Sequence, residues 1–377
     1  MKRKSLFTGA AMGLAALAMS GCTSAAAPTN AADPAEMTAS QSECVEAAEE
    51  TVALGSAPLE LIAPASALDL EQLEGRNIWY IAVGMNQFAT DVADGIEAAG
   101  ETLGMNVTIF DGQNQTNRFN EGIEQAIAQG ADGIILLGID PALVTNSLLK
   151  AEAAGIPVQN NLTGDVGDPV PAGAYGNLTS DYTGDGALAA EWAMADSGCQ
   201  AHVLLLSSSG IPVWDKFANG AAEAIKDCAD CSAEILNIDA ANVATSVGSQ
   251  VQTALQRNPE INYIIAAWDS AVPFANPVIA GAGSKAKVAA RDGIEASIQM
   301  IASGSGQDMT VTMPPTGWIG YIAVDDVARA ILGEEQPGYT IPSSIIDAEN
   351  VGTGSPEDVA PNYVDYAAAF EAAWTAK

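Results

Sequence analysis

The chain has 377 residues, 48% of them hydrophobic, with 47 acidic against 14 basic side chains, one histidine and a formal net charge of −33. That length allows two domains with sizeable cores, and that apolar fraction marks a globular chain rather than a disordered one. The acidity excludes nucleic acid and anionic lipid surfaces as direct partners, and the scattering of the acids along the chain reads as a strongly solvated surface.

Lys2, Arg3 and Lys4 precede the apolar run LFTGAAMGLAALAMSGC, too short to span a bilayer as a helix. Ser20 and Gly21 stand just ahead of Cys22, with Met19 where a leucine is usual, so residues 1–21 resemble a bacterial lipoprotein signal peptide. The resemblance implies cleavage before Cys22, acylation of the new N-terminus, and an extracytoplasmic protein anchored to the cell membrane by lipidated Cys22. One acyl chain binds a membrane only marginally, whereas several on one residue anchor stably. Residues 22–43 are small and polar and read as a lipidated cysteine with a flexible tether. No later apolar run approaches the length of a membrane span.

Four cysteines remain, Cys44, Cys199, Cys228 and Cys231, and an exported protein can oxidise them to structural disulfides. The Cys-Ala-Asp-Cys pair also fits zinc or redox chemistry, but it stands alone and the one histidine, His202, opens an apolar strand. The ligand set for zinc is therefore poor, and no metal site is expected. Four cysteines allow three pairings. A bridge from Cys199, ahead of one strand, to Cys228 or Cys231, in the loop before the next, fits the order of elements.

Residues 44–76 form an N-terminal extension with a short helical pattern and a proline-containing approach to the first strand. IWYIAVG then reads as a buried strand, and Phe88, Val92, Ile96, Ala99 and Leu103 recur at helical spacing until Gly104 stops the helix. VTIF is the next strand. Phe119, Ile123 and Ile127 mark a helix ended by Gly130, GIILLGI is the third strand, a helix runs from Ala142 to Ala154, and IPVQN is the fourth strand. The plan then repeats: HVLLLS, a helix near Phe217 to Lys226, AEILNI, a helix to Arg257, YIIAAW, a helix near Phe274 to Ala280, KVAAR and a further helix. Apolar strands alternating with amphipathic helices imply parallel sheets covered on both faces. The fold class is α/β, as two similar Rossmann-like lobes with a crevice between them. Ligands in such sheets lie beyond the carboxyl ends of the strands.

No phosphate loop, dinucleotide glycine motif or HExxH sequence is present, and His202 sits at the wrong end of its strand to act as a base in a serine or cysteine triad. The chain is therefore read as no enzyme, with no cofactor. The strand ends offer hydrogen-bonding groups beside aromatic rings instead. Asn86 and Phe88 follow the first strand, Asp140 the third and Asn161 the fourth, and Asp181 with Tyr182 stands where the lobes meet. Trp214 and Asp215 follow HVLLLSSSG, Trp268 and Asp269 follow YIIAA, and Asp292 follows KVAA. Carboxylates and amides bond several hydroxyls, while flat rings cover C–H surfaces, a combination that suits a sugar or similar solute. Asp and Asn after strands also cap helices, and either tryptophan can fill core space.

VGMNQFATDVADGIEAAGETLG, QAIAQGADGIILLGIDP, AEAAGIPV, LQRNPEINYIIAAWDSAV and ARDG, in this order and spacing, resemble the type I periplasmic solute-binding proteins, specifically the ribose- and galactose-binding group of ABC importers. The likeness covers roughly residues 77–346. It implies lobes joined by a three-crossing hinge, the first built from 77–180 plus 314–340 and the second from 181–313 plus 341–347, with 348–377 a C-terminal tail and helix. It further implies a monomer that binds a sugar or sugar-like solute and delivers it to an ABC permease. Asn86 and Phe88 match the family's Asn and first Phe, with Gln87 and Ala89 departing. Asp181 matches the acid at the first crossing, and Asp269 the acid of an Asn-Asp pair whose Asn is Trp268 here. Asn161 falls near an Asp-Arg pair that the chain lacks. Trp214 and Asp215 stand where an arginine is expected, and Met313 and Pro314 near an expected glutamine. The loss of arginines and gain of aromatic surface speak against a plain pentose and for a deoxy sugar, polyol, glycoside or more apolar solute. A sensory binding lipoprotein is the alternative role.

Overall fold

A computed structural model describes residues 37–59, 64, 66–208, 211–239, 242–313, 315–354 and 365–376. Cys22, the signal-like segment and most of the tether lie outside the described residues.

Helix α1 (Ala39–Gly55) starts at a capping box formed by Thr38 and Gln41, and a single turn, α2 (Leu70–Leu73), precedes the first sheet. The first lobe then runs β1 (Asn77–Ala82), α3 (Gln87–Thr102), β2 (Asn106–Asp111), α4 (Thr116–Ala128), β3 (Gly133–Leu137), α5 (Pro141–Ala153), β4 (Val158–Asn161) and β5 (Gly176–Ser180). The second follows as α6 (Tyr182–Ser197), β6 (His202–Ser207), α7 (Pro212–Ile225), β7 (Ser232–Asn237), α8 (Val243–Arg257), β8 (Tyr263–Ala266), α9 (Val272–Gly281), β9 (Lys287–Asp292), α10 (Glu295–Ser303) and β10 (Met309–Thr312). The chain closes with α11 (Thr316–Leu332), β11 (Thr340–Ile341), β12 (Ser344–Asp347) and α12 (Tyr366–Trp374).

Two six-stranded sheets result, in the orders β11-β5-β4-β3-β1-β2 and β12-β10-β9-β8-β6-β7. All ladders are parallel except β10 with β12. The central strands of the first sheet, β1 and β3, are buried on both faces. Along β1, Ile78, Tyr80 and Ala82 join one core, with α3 and α11, while Trp79 and Ile81 join the other, with α4. This period of two is what a continuous apolar strand gives when helices cover both sides. The chain passes between the sheets three times, after β5, after β10 and after β11. Ile341 pairs with Ser180 in the first sheet, so the last passage falls between Ile341 and Ser344 rather than after residue 340.

α1 packs on α6 and β12 of the second lobe, whereas α2 and α12 pack on α11 of the first. Disulfides join Cys44 to Cys199 and Cys228 to Cys231. The expected bridge between Cys199 and the Cys-Ala-Asp-Cys pair is thus corrected. Strand order placed these cysteines near one another, but it could not foresee that α1 would return to the turn after α6 and reach Cys199 first. The Cys44–Cys199 bridge closes a separation of 155 residues, and by loop entropy contributes about 5 kcal/mol. The double variant Cys44→Ser with Cys199→Ser is expected to lose stability of that order, read as a lower urea midpoint.

Candidate functional site

The carboxyl ends of both sheets face one cleft. Close helix packing sets its walls: a Cβ on Gly186 of α6 would lie 1.9 Å from the Phe217 carbonyl of α7, and one on Gly220 of α7 would lie 2.1 Å from the Thr183 carbonyl. Only glycine permits this approach, which brings Tyr182, at the start of α6, towards Trp214, in the first turn of α7. A cavity of ≈ 70 Å³ lies there, lined by Asn86 and Phe88 from the first lobe and by Tyr182, Trp214, Trp268 and Asp292 from the second, with Gly138, Leu162, Ile211 and Val213 among its other walls.

Trp214 and Trp268 stack face to face, with centroids 4.0 Å apart and planes 5° from parallel. Nothing fits between rings at that spacing, so their outer faces are the surface on offer. Ile211 and Val213 belong to the second lobe yet pack into the first lobe's core, and Lys216 of α7 pairs with Asp168 of the first lobe at 2.6 Å. The lysine holds the Asp168 carboxyl below its ordinary range. At the first passage, Asp165 accepts from the Tyr182 and Thr183 amides at 2.8 and 3.2 Å. These contacts tie the two lobes to each other beside the cavity.

Two non-glycine lining residues hold positive φ, Leu162 at 58° and Asp292 at 126°. Such backbone costs about 1–3 kcal/mol and persists where its surroundings over-determine it. For Asp292 the surroundings include Asp269. Its carboxylate accepts from the Gly293 and Ile294 amides at 2.7 and 3.1 Å, from Gln307 Nε2 at 2.8 Å and from Thr310 Oγ1 at 3.0 Å. Asp269 is fully buried and does not line the cavity. It is a positioning residue for the Asp292 turn rather than a group free to meet a solute.

The other predicted residues divide in the same way. Asp140 caps α5 through the Ala142 amide (2.9 Å), Asp181 caps α6 through the Gly184 amide (2.8 Å), and Asp215 accepts from Ser207 Oγ (2.6 Å). None of the three lines the cavity; helix capping and a local hydroxyl account for them. Asn86 does both jobs: its Oδ1 caps α3 through the Ala89 amide at 2.9 Å while the residue lines the cavity. Asn161 is buried at the end of β4, next to the lining residue Leu162, with neither Oδ1 nor Nδ2 bonded among the described residues.

Sequence reading missed Arg291. It is fully buried, its Nε donates to Asp185 Oδ2 at 2.8 Å, and its guanidinium lies 3.8 Å over the Tyr182 ring. Asp185 also accepts from Ser343, in the third passage between sheets. So the site keeps a cation, one layer behind its wall, although the arginines expected in the cleft are absent. The signal was an arginine inside the apolar strand KVAARD, and an acid, Asp185, on the inner face of a helix. Burial pushes the Tyr182 hydroxyl up to about 12, against the pull of Arg291. Burial, reinforced by Asp269, holds the Asp292 carboxyl well above the ordinary carboxylate range, and burial pushes Asp269 up to about 6 despite its four donors.

An asparagine in place of Asp269 presents a donor to one pair of its donors, so Asp269→Asn is expected to cost about 2 kcal/mol, read by urea unfolding. Because the folded carboxyl titrates above its unfolded value, the folded protein binds the extra proton between about pH 4 and pH 6. The corresponding stability is present below that window and lost as pH rises through it. The melting temperature should therefore rise from pH 7 to pH 5, and rise less in Asp269→Asn.

A family model described as a periplasmic binding protein domain matches residues 80–335. The ribose import binding protein of Bacillus subtilis (strain 168) is 32% identical over 73 residues, which are 19% of this chain and about a quarter (24%) of that relative. An ABC sugar transporter subunit from Rhodobacter sphaeroides 2.4.1 superposes with a TM-score of 0.66 at 26% identity, over 74% of this chain and 100% of that one. A sugar ABC transporter protein from Yersinia enterocolitica shares the fold, with a TM-score of 0.71 at 21% identity over 83% of this chain and 98% of its own.

Proposed function

The chain belongs to the periplasmic binding protein family, and from that premise we propose that it captures a sugar or sugar-like solute between its two lobes and delivers it to an ABC permease in the membrane. The observation that carries this reading is the cavity at the carboxyl ends of both sheets, where the Trp214–Trp268 stack and Phe88 meet Asn86 and Asp292. Flat rings cover the C–H face of a sugar, and the amide and carboxyl bond its hydroxyls. The unbonded buried amide of Asn161, beside the wall, adds a further group that a solute or a solute-bound water would satisfy. The ribose-import and sugar-transporter descriptions of the two relatives above 25% identity support the same class.

Few polar groups and many apolar ones line this cavity, which favours a sugar or sugar-like solute with one bare C–H face, such as a deoxy sugar or a glycoside. The lobes part for entry and close by hinge motion, with Lys216–Asp168 and the packing of Ile211 and Val213 as closing contacts. The role is binding rather than catalysis: His202, the one histidine, stands at the amino end of β6, away from the cavity. Among the described residues no helix is long and apolar enough to cross a membrane. Attachment is assigned to acylated Cys22, which keeps a mobile receptor near its permease.

A thermal-shift screen of sugars, polyols, aromatic acids and steroid-like compounds tests the reading. Stabilisation by a sugar or polyol is expected. Stabilisation by apolar compounds alone would replace the carbohydrate class with an apolar one, and turnover of a bound sugar would overturn the binding role. For the anchor, metabolic labelling with a fatty acid is expected to mark the parent protein and not Cys22→Ala.

A further inference from the structure

A second cluster lies away from the cleft, on the second lobe. The sulfurs of Cys44, Cys199 and Cys228 all lie within 4.8 Å of one another, although they belong to two different disulfides. Cys228 Sγ sits 3.4 Å from the Cys199 carbonyl oxygen. Cys199 and Cys228 are buried, while Cys44 and Cys231 are half-buried. Cys231 forms part of the wall of an open hollow of ≈ 520 Å³, shared with His202, Asp230, Gln41 and Gln200. Cys231, half-buried, therefore turns one bridge towards the open hollow, while the inner sulfur of that bridge is held against the other bridge. The Nδ1 of His202 lies 2.9 Å from Ser232 Oγ, which fixes the ring in the wall of this hollow.

We propose that these four cysteines form a thiol–disulfide exchange site, at which a dithiol entering at Cys231 converts the Cys44–Cys199 bridge into a Cys199–Cys228 bridge. Attack by one thiolate of the dithiol on Cys231 Sγ forms a mixed disulfide and expels Cys228 as a thiolate. Cys228 then attacks Cys199 Sγ, the sulfur–sulfur bond to Cys44 breaks, and Cys44 leaves as a thiolate that takes a proton from water. The second thiol of the dithiol resolves the mixed disulfide, leaving a cyclic disulfide and freeing Cys231. Two electrons pass from the dithiol to the protein, which exchanges two bridges for one bridge and two thiols. Exchange proceeds by thiolate attack on a neighbouring sulfur, so access and proximity govern which bond breaks. Attack falls on Cys199 because Cys228 lies against that residue's backbone, and because Cys44, half-buried where Cys199 is buried, is the better-solvated leaving group. The consequence is mechanical. α1 carries the chain towards Cys22, and exchange removes its covalent tie to the second lobe while its packing on α6 remains.

The test uses the whole folded protein with limiting dithiothreitol at neutral pH, followed by alkylation of free thiols and mapping of the remaining bridge by peptide mass spectrometry. The expected first product carries Cys199–Cys228, with Cys44 and Cys231 alkylated. A first product that keeps Cys44–Cys199, one that carries Cys44–Cys228, or loss of both bridges together would each overturn the proposal. Cys231→Ser supplies a second arm without reductant, because Cys228 then starts as a free thiol. Its expected state is Cys199–Cys228 with Cys44 alkylated, and retention of Cys44–Cys199 with Cys228 alkylated contradicts the exchange.

Discussion

Trp268→Ala is expected to weaken solute binding about 30-fold, a loss of ~2 kcal/mol, measured by isothermal titration calorimetry. The residue is 3% exposed, and its ring stacks on Trp214 at the wall of the cavity. Its removal withdraws aromatic surface from the solute and leaves Trp214 without the partner that holds its plane. Because Trp268 also packs in the second lobe's core, the variant loses stability as well, by about 3–5 kcal/mol. Trp214→Ala separates the two effects. That residue is half-buried on α7, so its loss should weaken binding with a smaller cost in stability. Trp268→Phe, which keeps a flat ring, should recover part of the affinity.

Arg291→Ala is expected to destabilise the fold by about 3–5 kcal/mol, read from urea unfolding. The guanidinium is fully buried, with Nη2 2.7 Å from Asp185 Oδ2. Removing it leaves Asp185 as an uncompensated buried acid, since the Ser343 and Ser180 hydroxyls that remain cannot replace a cation. Asp185 already titrates above the ordinary carboxylate range because burial outweighs Arg291, and without the arginine it would be driven further towards its neutral form. The knot joins β9, α6 and the third passage between sheets, and its cation sits over the Tyr182 ring in the cavity wall. Solute affinity should therefore fall with stability. Arg291→Lys should restore little, because an ammonium lacks the planar fork that spans Asp185 and the ring.

The strands and most helices were legible because their apolar periodicity is strong. IWYIAVG and GIILLGI became β1 and β3, and the two lobes came from the repetition of the pattern. β5, β11 and β12 were not legible, since Gly176–Ser180 is short and polar and the last two strands hold two and four residues. Their pairing depends on distant strands rather than local pattern. α11 carries Trp318, Asp325, Asp326 and Arg329 inward, charges included, so amphipathic spacing could not mark it.

In the candidate site the aromatic residues were legible and most of the acids were not. Phe88, Trp214 and Trp268 after strands have few purely local uses, and all three line the cavity. Asp140, Asp181, Asp215 and Asp269 look alike in sequence, yet their carboxylates are bonded to nearby amides and hydroxyls. Asp292 differs because its positive φ turns it into the cleft wall. Hydrogen-bond competition of this kind is decided by backbone geometry, which a sequence does not display. The cysteine pairing was missed for a related reason: α1 lies 155 residues from its partner and packs there through tertiary contacts alone.

A sugar or sugar-like solute is proposed to bind between the lobes, against the tryptophan pair. The most direct measurement is calorimetric titration of the protein, and of Trp268→Ala in parallel, with the strongest sugar or polyol from the thermal-shift screen. One site per chain is expected in the parent protein, with an affinity about 30-fold lower in the variant. Equal affinity in both proteins, or no binding of any sugar or polyol by the parent, would contradict it.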